Sequence, residues 1–170
     1  MEKQSGSDQT PFFPPTLLLK SLESIGLERR TALIEVISNI GSYHGARILC
    51  NYLKDCKSPE MAIACAHVLG ELRDPLAMPI FLDALHSPHL NSEAFLIKVI
   101  DSVSLIADPE AIAPLRILLK HPLPPIRARA IKALVALGDE GSLQEIENLR
   151  RHDSDIEVRR ALQKIERKAV

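Results

Sequence analysis

The sequence predicts an all-α fold, a right-handed α-solenoid of about five stacked helical hairpins spanning residues 15–170. Three observations carry this. Apolar residues make up 46% of the chain while aromatics are only 4% and Trp is absent, so the core is Leu, Ile, Ala and Val, which pack helix against helix. Apolar positions recur at helical spacing with hardly a pause from Pro15 onward. The chain also repeats itself at intervals of 31–34 residues, the signature of stacked hairpins rather than of a compact bundle.

The repeat is read directly from aligned segments. Asp74-Pro-Leu-Ala-Met-Pro-Ile-Phe-Leu-Asp-Ala-Leu85, Asp108-Pro-Glu-Ala-Ile-Ala-Pro-Leu-Arg-Ile-Leu-Leu119 and Asp139-Glu-Gly-Ser-Leu-Gln-Glu-Ile-Glu-Asn-Leu149 match in residue type. A looser copy runs from Gly41 to Leu53. The small residue of each copy falls at Gly45, Ala77, Ala111 and Ser142, giving intervals of 32, 34 and 31.

Each period divides into two helices. The first opens with Asp-Pro or a polar equivalent: Asp caps exposed amides, and Pro occupies a position whose N–H has no helical partner. The second follows a break at Ser58-Pro59, Ser87-Pro88-His89, Pro122 to Pro125, or Asp153-Ser-Asp155. Most of the twelve prolines therefore mark helix starts or turns. Pro79 and Pro114 fall in early turns of first helices, and Pro114 is expected to bend its helix.

The second helices share one apolar stripe. Ile126, Ala130, Ala133, Leu134 and Leu137 lie on one face. Met61, Cys65, Val68, Leu69 and Leu72 repeat that stripe, and Val99, Val103 and Ile106 fall between. The last copy begins at Val158-Arg159 and runs through Ile165, ending in a basic polar cap. Counting back, Thr16 to Ile25 and Glu28 to Ile40 form an opening hairpin, preceded by a flexible tail over residues 1–14.

The pattern Val-Arg-x-x-Ala-x-x-Ala-Leu-Gly-x-Leu-Gly-Asp, followed by Asp-Pro-x-Ala-Ile-x-x-Leu-x-x-Leu-Leu, is carried by Ile126 to Asp139 and Asp108 to Leu119. It resembles the short HEAT-like repeats of phycobilisome-lyase type, over roughly nine-tenths of the chain. That resemblance implies a concave face, lined by second helices, that binds proteins or other large ligands. It also implies an alternative role as an accessory subunit or chaperone in phycobilin (tetrapyrrole) attachment.

The residues offer little chemistry. His44, Cys50, Cys56, Cys65 and His67 crowd one third of the chain, yet no Cys-x2-4-Cys pair supports a zinc site. Cys65 aligns with Ala130 and reads as a small core residue. HEAT proteins similar to deoxyhypusine hydroxylase bind iron through His-Glu pairs, and no His-Glu dipeptide occurs here. Phosphate loops and nucleophile elbows are missing too. His86, His89, His121 and His152 read as polar turn residues. The expectation is a non-catalytic chain without cofactor or metal.

Partners are narrowed by charge. Net charge is −1, and no apolar run approaches the ~20 residues of a membrane span. Residues 126–170 hold ten cations, Arg127, Arg129, Lys132, Arg150, Arg151, Arg159, Arg160, Lys164, Arg167 and Lys168, but also eight acids and no Trp or Tyr. Nucleic acid is therefore disfavoured as a partner. A polar-then-proline start without an apolar leader, with three cysteines, points to the cytosol.

What remains is a protein-binding face. Equivalent positions of the second helices give one column of Glu35, His67, Asp101, Lys132 and Lys164, running from acidic to basic. The next is Thr31, Ile63, Ile97, Ala128 and Arg160. Both are expected to point away from the core. Ile63 and Ile97 form either an exposed apolar pair rimmed by charge, or, with the register one residue off, two core side chains. In the tail, Phe12 and Phe13 either cap the first hairpin or dock a partner.

Overall fold

A computed structural model describes residues 42–88 and 91–166. The opening hairpin, the tail with Phe12 and Phe13, Thr31, Glu35, His89, Arg167 and Lys168 lie outside them. The described residues form eight α-helices and no strand. In chain order these are α1 (Ser42–Asp55), α2 (Pro59–Leu72), α3 (Met78–His86), α4 (Glu93–Ile106), α5 (Ile112–Leu118), α6 (Pro124–Ala136), α7 (Leu143–His152) and α8 (Ile156–Glu166). They pair as four consecutive hairpins, and the second helices α2, α4, α6 and α8 pack side by side in one unbroken run. This is an all-α solenoid of helical hairpins.

Side-chain capping sets the starts of α2 and α4 and of the turns that lead into α3, α5 and α7. Ser58 and Ser92 sit in extended backbone and accept the Met61 and Phe95 amides at 3.4 and 3.3 Å, opening α2 and α4. Asp74, Asp108 and Asp139 accept amides two residues on, at 2.9, 2.9 and 3.3 Å. Each of these aspartates opens a short 3-10 turn, Pro75–Ala77, Pro109–Ala111 or Glu140–Ser142, and the α-helix starts only after it.

The turn leaves Pro114 early in its helix, as its sequence position predicts. This proline is the third residue of α5, where no intrahelical N–H bond is due, and it is buried. Pro79 likewise sits at the start of α3. The junction between 3-10 turn and helix accommodates the proline, so Pro114 belongs to a helix start.

The second helices α2, α4 and α6 end alike. Arg73, Ala107 and Gly138 take left-handed backbone, with φ of 51°, 62° and 69°. After α6, Asp139 N–H reaches Leu134 O at 3.0 Å and Gly138 N–H reaches Val135 O at 3.1 Å, satisfying carbonyls the helix end leaves open.

One core runs the length of the described solenoid, from Ala46 to Leu162, as the two apolar faces of each hairpin meet. Phe81, Leu49, Met61, Leu69, Leu85, Leu96, Ile100, Leu115 and Leu118 are its largest fully buried side chains. α2 and α4 approach closely at Gly70. A Cβ on Gly70 would lie 2.8 Å from the Ser102 Cα, and the Ser102 hydroxyl donates to Ala66 O at 2.8 Å.

Candidate functional site

The second-helix run carries both columns, and the structure separates them. In the first, His67, Lys132 and Lys164 are exposed and Asp101 is half-buried, so that column faces outward. In the second, Arg160 is exposed, Ile63 and Ile97 are half-buried, and Ala128 is only 4% exposed. Ala128 is a correction: it is buried rather than directed away from the core. Its side chain is short enough to sit in the seam of the packed layer, where an isoleucine remains half out. Ile63 and Ile97 are thus neither a freely exposed pair nor full core, and Ile97 packs against the core edge.

Several cations near the C-terminal end already have partners. Arg127 donates from Nε to Asp153 at 2.8 Å and from its terminal nitrogen to the His121 and Pro122 carbonyls at 2.8 and 3.0 Å. Arg129 reaches both oxygens of Asp101, at 2.9 and 3.1 Å, from α6 to α4. Arg150 and Arg151 both hold Glu147, whose carboxyl they pull down to about 2. Four of the ten sequence cations are therefore paired with acids, and they form no basic stripe. Lys132, Arg160 and Lys164 have no ion-pair partner among the described residues.

Two shallow grooves follow these lysines. One of ≈ 310 Å³ is lined by Lys132, Val135, Ala136, Lys164 and Ile165. The other, of ≈ 280 Å³, is lined by Asp101, Ser104, Leu105, Arg129, Lys132 and Ala133. Sequence reasoning missed the apolar side of the first groove. Val135 is 37% exposed, and its signal was available as the position one turn beyond Lys132 on the same face.

Larger or more apolar features lie elsewhere. A groove of ≈ 680 Å³ between α1 and α3 is lined by Leu53, Lys54, Ile80, Asp83, Asn91 and Phe95 among others. Its amide is already engaged, since Asn91 donates to the Ala84 and Ser87 carbonyls at 3.2 and 3.0 Å. One lysine and one aspartate leave it no charge preference. Ile117 at 65% and Leu143 at 56% are exposed on first helices, while Leu123 and Ile156 flank turns. These are single residues, whereas the second-helix face combines apolar and charged positions in order.

Two of the three thiols are buried. Burial raises the Cys65 thiol to about 12 and the Cys50 thiol to about 11, so both stay protonated and poorly nucleophilic at neutral pH. The Cys56 thiol donates to Ser58 O at 3.3 Å, at the turn into α2. Among the described residues, no cluster of three or more His, Cys, Asp or Glu side chains could hold a metal. His86 and His152 close α3 and α7 rather than standing in turns, and His86 Nδ1 lies 2.7 Å from Leu82 O. His121 stays in its turn, where burial lowers its pKa and its Nδ1 accepts the Leu123 amide at 3.2 Å.

A repeating hairpin with Asp-capped first helices and a continuous second-helix layer defines the class, an all-α repeat solenoid. Within it, residues 89–165 match the family model for HEAT repeats. That match supports a HEAT-like repeat family. It does not distinguish the phycobilisome-lyase type. No curated protein matches the chain. No described helix is long and apolar enough to cross a membrane.

Proposed function

We propose that the protein is a non-catalytic scaffold whose second-helix face docks another protein. The observation that carries this reading is the order on that face. Half-buried Ile63 and Ile97 stand beside exposed His67, Lys132, Lys164 and Arg160 on one continuous layer of helices. Apolar anchors ringed by polar side chains suit a protein interface, where partial burial is completed by the partner. HEAT-like repeats commonly serve this role, and the repeat match over residues 89–165 supports it. The site proposed comprises Thr31, Glu35, Ile63, His67, Ile97, Asp101, Lys132, Arg160 and Lys164, with Ala128 as a packed spacer. Phe12 and Phe13 are proposed as an N-terminal cap or docking element.

A pull-down from the native host tests it. The Ile63→Asp/Ile97→Asp variant, shown by circular dichroism to keep its helicity, should lose partners that the unaltered chain retains. Retention of every partner by that folded variant would sink the site. The tetrapyrrole-accessory role draws on the resemblance of the repeat alone, and the family match does not favour it.

A further inference from the structure

We propose that the trough between α6 and α8 receives an acidic, amphipathic segment of the partner protein. Its carboxylates meet Lys132 and Lys164, and its apolar side chains rest on Val135, Ala136 and Ile165. The proposal rests on the scaffold reading above and specifies the partner's chemistry.

Lys132 belongs to both second-helix grooves, so the two run together across α4, α6 and α8. Lys164 stands on the far wall, and Arg160 precedes it by one turn on the same exposed face of α8. Between the cations lies an apolar strip, with Val135 37% exposed and Ala136 open to solvent. A ligand must therefore offer negative charge at the edges and hydrocarbon between them.

Local acids do not neutralise the trough. Asp101 is the nearest carboxylate on α4, and both its oxygens are held by Arg129. Asp101 and Glu157 both reach Lys132 through their fields and raise its pKa, offsetting part of the repulsion, but neither makes an ion pair with it. The crowding is visible in Lys132 itself. Burial lowers its pKa first, and the charges of Arg129 and Lys164 lower it further. An incoming carboxylate relieves this repulsion in a partly desolvated groove, where a charge-assisted contact is stronger than on open surface.

A protein segment fits better than nucleic acid. A duplex presents a charge about every 1.7 Å and needs a long cationic track. Here Arg127, Arg129, Arg150 and Arg151 are committed to acids, leaving a short cluster. The trough residues include no aromatic for base stacking.

The test is fluorescence anisotropy on the full chain with three labelled probes. The first is an amphipathic helical peptide of about 18 residues with a Leu stripe flanked by Glu, long enough to cross the helices. The second is the same peptide with Gln for Glu, and the third is a single-stranded oligonucleotide of equal charge. The Glu peptide should bind at least about tenfold more tightly than the Gln peptide, with affinity falling as salt rises. Lys132→Glu/Lys164→Glu should abolish that preference, Lys132→Gln/Lys164→Gln should weaken it, and Lys132→Arg/Lys164→Arg should retain it. Melting temperatures near that of the unaltered chain show that these exposed variants fold.

Equal or absent binding of the two peptides, tighter binding of the oligonucleotide, or indifference to Lys132→Glu/Lys164→Glu would each overturn the proposal. Such a failure leaves the scaffold reading standing if Ile63→Asp/Ile97→Asp still sheds captured partners. Both fall together if that variant keeps them.

Discussion

Two junctions along the solenoid hold neighbouring hairpins together by different means. Between α2 and α4, small residues bring backbones into contact: Gly70 faces Ser102, whose hydroxyl donates to Ala66 O at 2.8 Å. Between the α5–α6 hairpin and the α7–α8 hairpin, charge crosses the gap. Arg127 pairs with Asp153, Arg116 with Asp139, and Lys120 with Glu145. Steric seating is insensitive to salt and pH, whereas ion pairs respond to both. The later junction is thus the tunable one, and it adjoins the trough bearing Lys132 and Lys164.

The largest effect is expected at Arg127, whose side chain is 16% exposed and whose partner Asp153 is 7% exposed. Arg127→Ala leaves Asp153 buried without its guanidinium and should destabilise the chain by about 3 kcal/mol, measured by urea unfolding. Burial pushes the Asp153 carboxyl up, but hydrogen bonds from Arg127 and the Asp155 amide outweigh it and hold the carboxyl below its usual range. A depressed folded-state pKa means this stabilisation is present above the unfolded carboxylate value near ~3.9 and is lost as pH falls below it. The difference between unaltered chain and Arg127→Ala should therefore shrink on acidification below about pH 4. A constant difference would remove the charge-based account of this junction.

Next comes Gly70→Ala. The added methyl would meet Ser102 Oγ at 2.5 Å and backbone behind it, so α2 and α4 must separate. A loss of about 2 kcal/mol is expected, with little dependence on salt. Salt dependence as large as that of Arg127→Ala would erase the distinction between the junctions. The smallest effect has the opposite sign. Ala107 ends α4 with φ of 62°, where Gly138 ends α6 at 69°. Ala107→Gly should stabilise by about 0.5 kcal/mol, the relief of left-handed strain exceeding the added unfolded-state freedom.

The sequence made much of this fold legible. Asp74, Asp108 and Asp139 announced first helices through their capping chemistry, and the Met61-to-Leu72 and Ile126-to-Leu137 stripes announced second helices. The 3-10 turns were hidden because Asp-Pro is compatible with either helix type. Left-handed backbone at Arg73 and Ala107 carried no glycine to signal it. Of the candidate site, the outward exposure of His67, Lys132 and Lys164 was readable from repeat alignment alone. Arg129 reaching Asp101 across 28 residues was not, because alignment places Cα positions but not the reach of a long side chain. Ala128 was misplaced for the related reason that a column assigns one orientation to positions of very different size.

Hydroxyl-radical footprinting of the full chain, free and bound to its captured partner, tests the proposed binding face most directly. Ile63, His67, Ile97, Val135 and Ile165 should lose reactivity on binding. Ile117 and Leu143, 65% and 56% exposed on the first helices, should keep theirs. Protection of Ile117 and Leu143 with Ile63, His67 and Val135 unchanged would place the partner on the other layer and contradict the account.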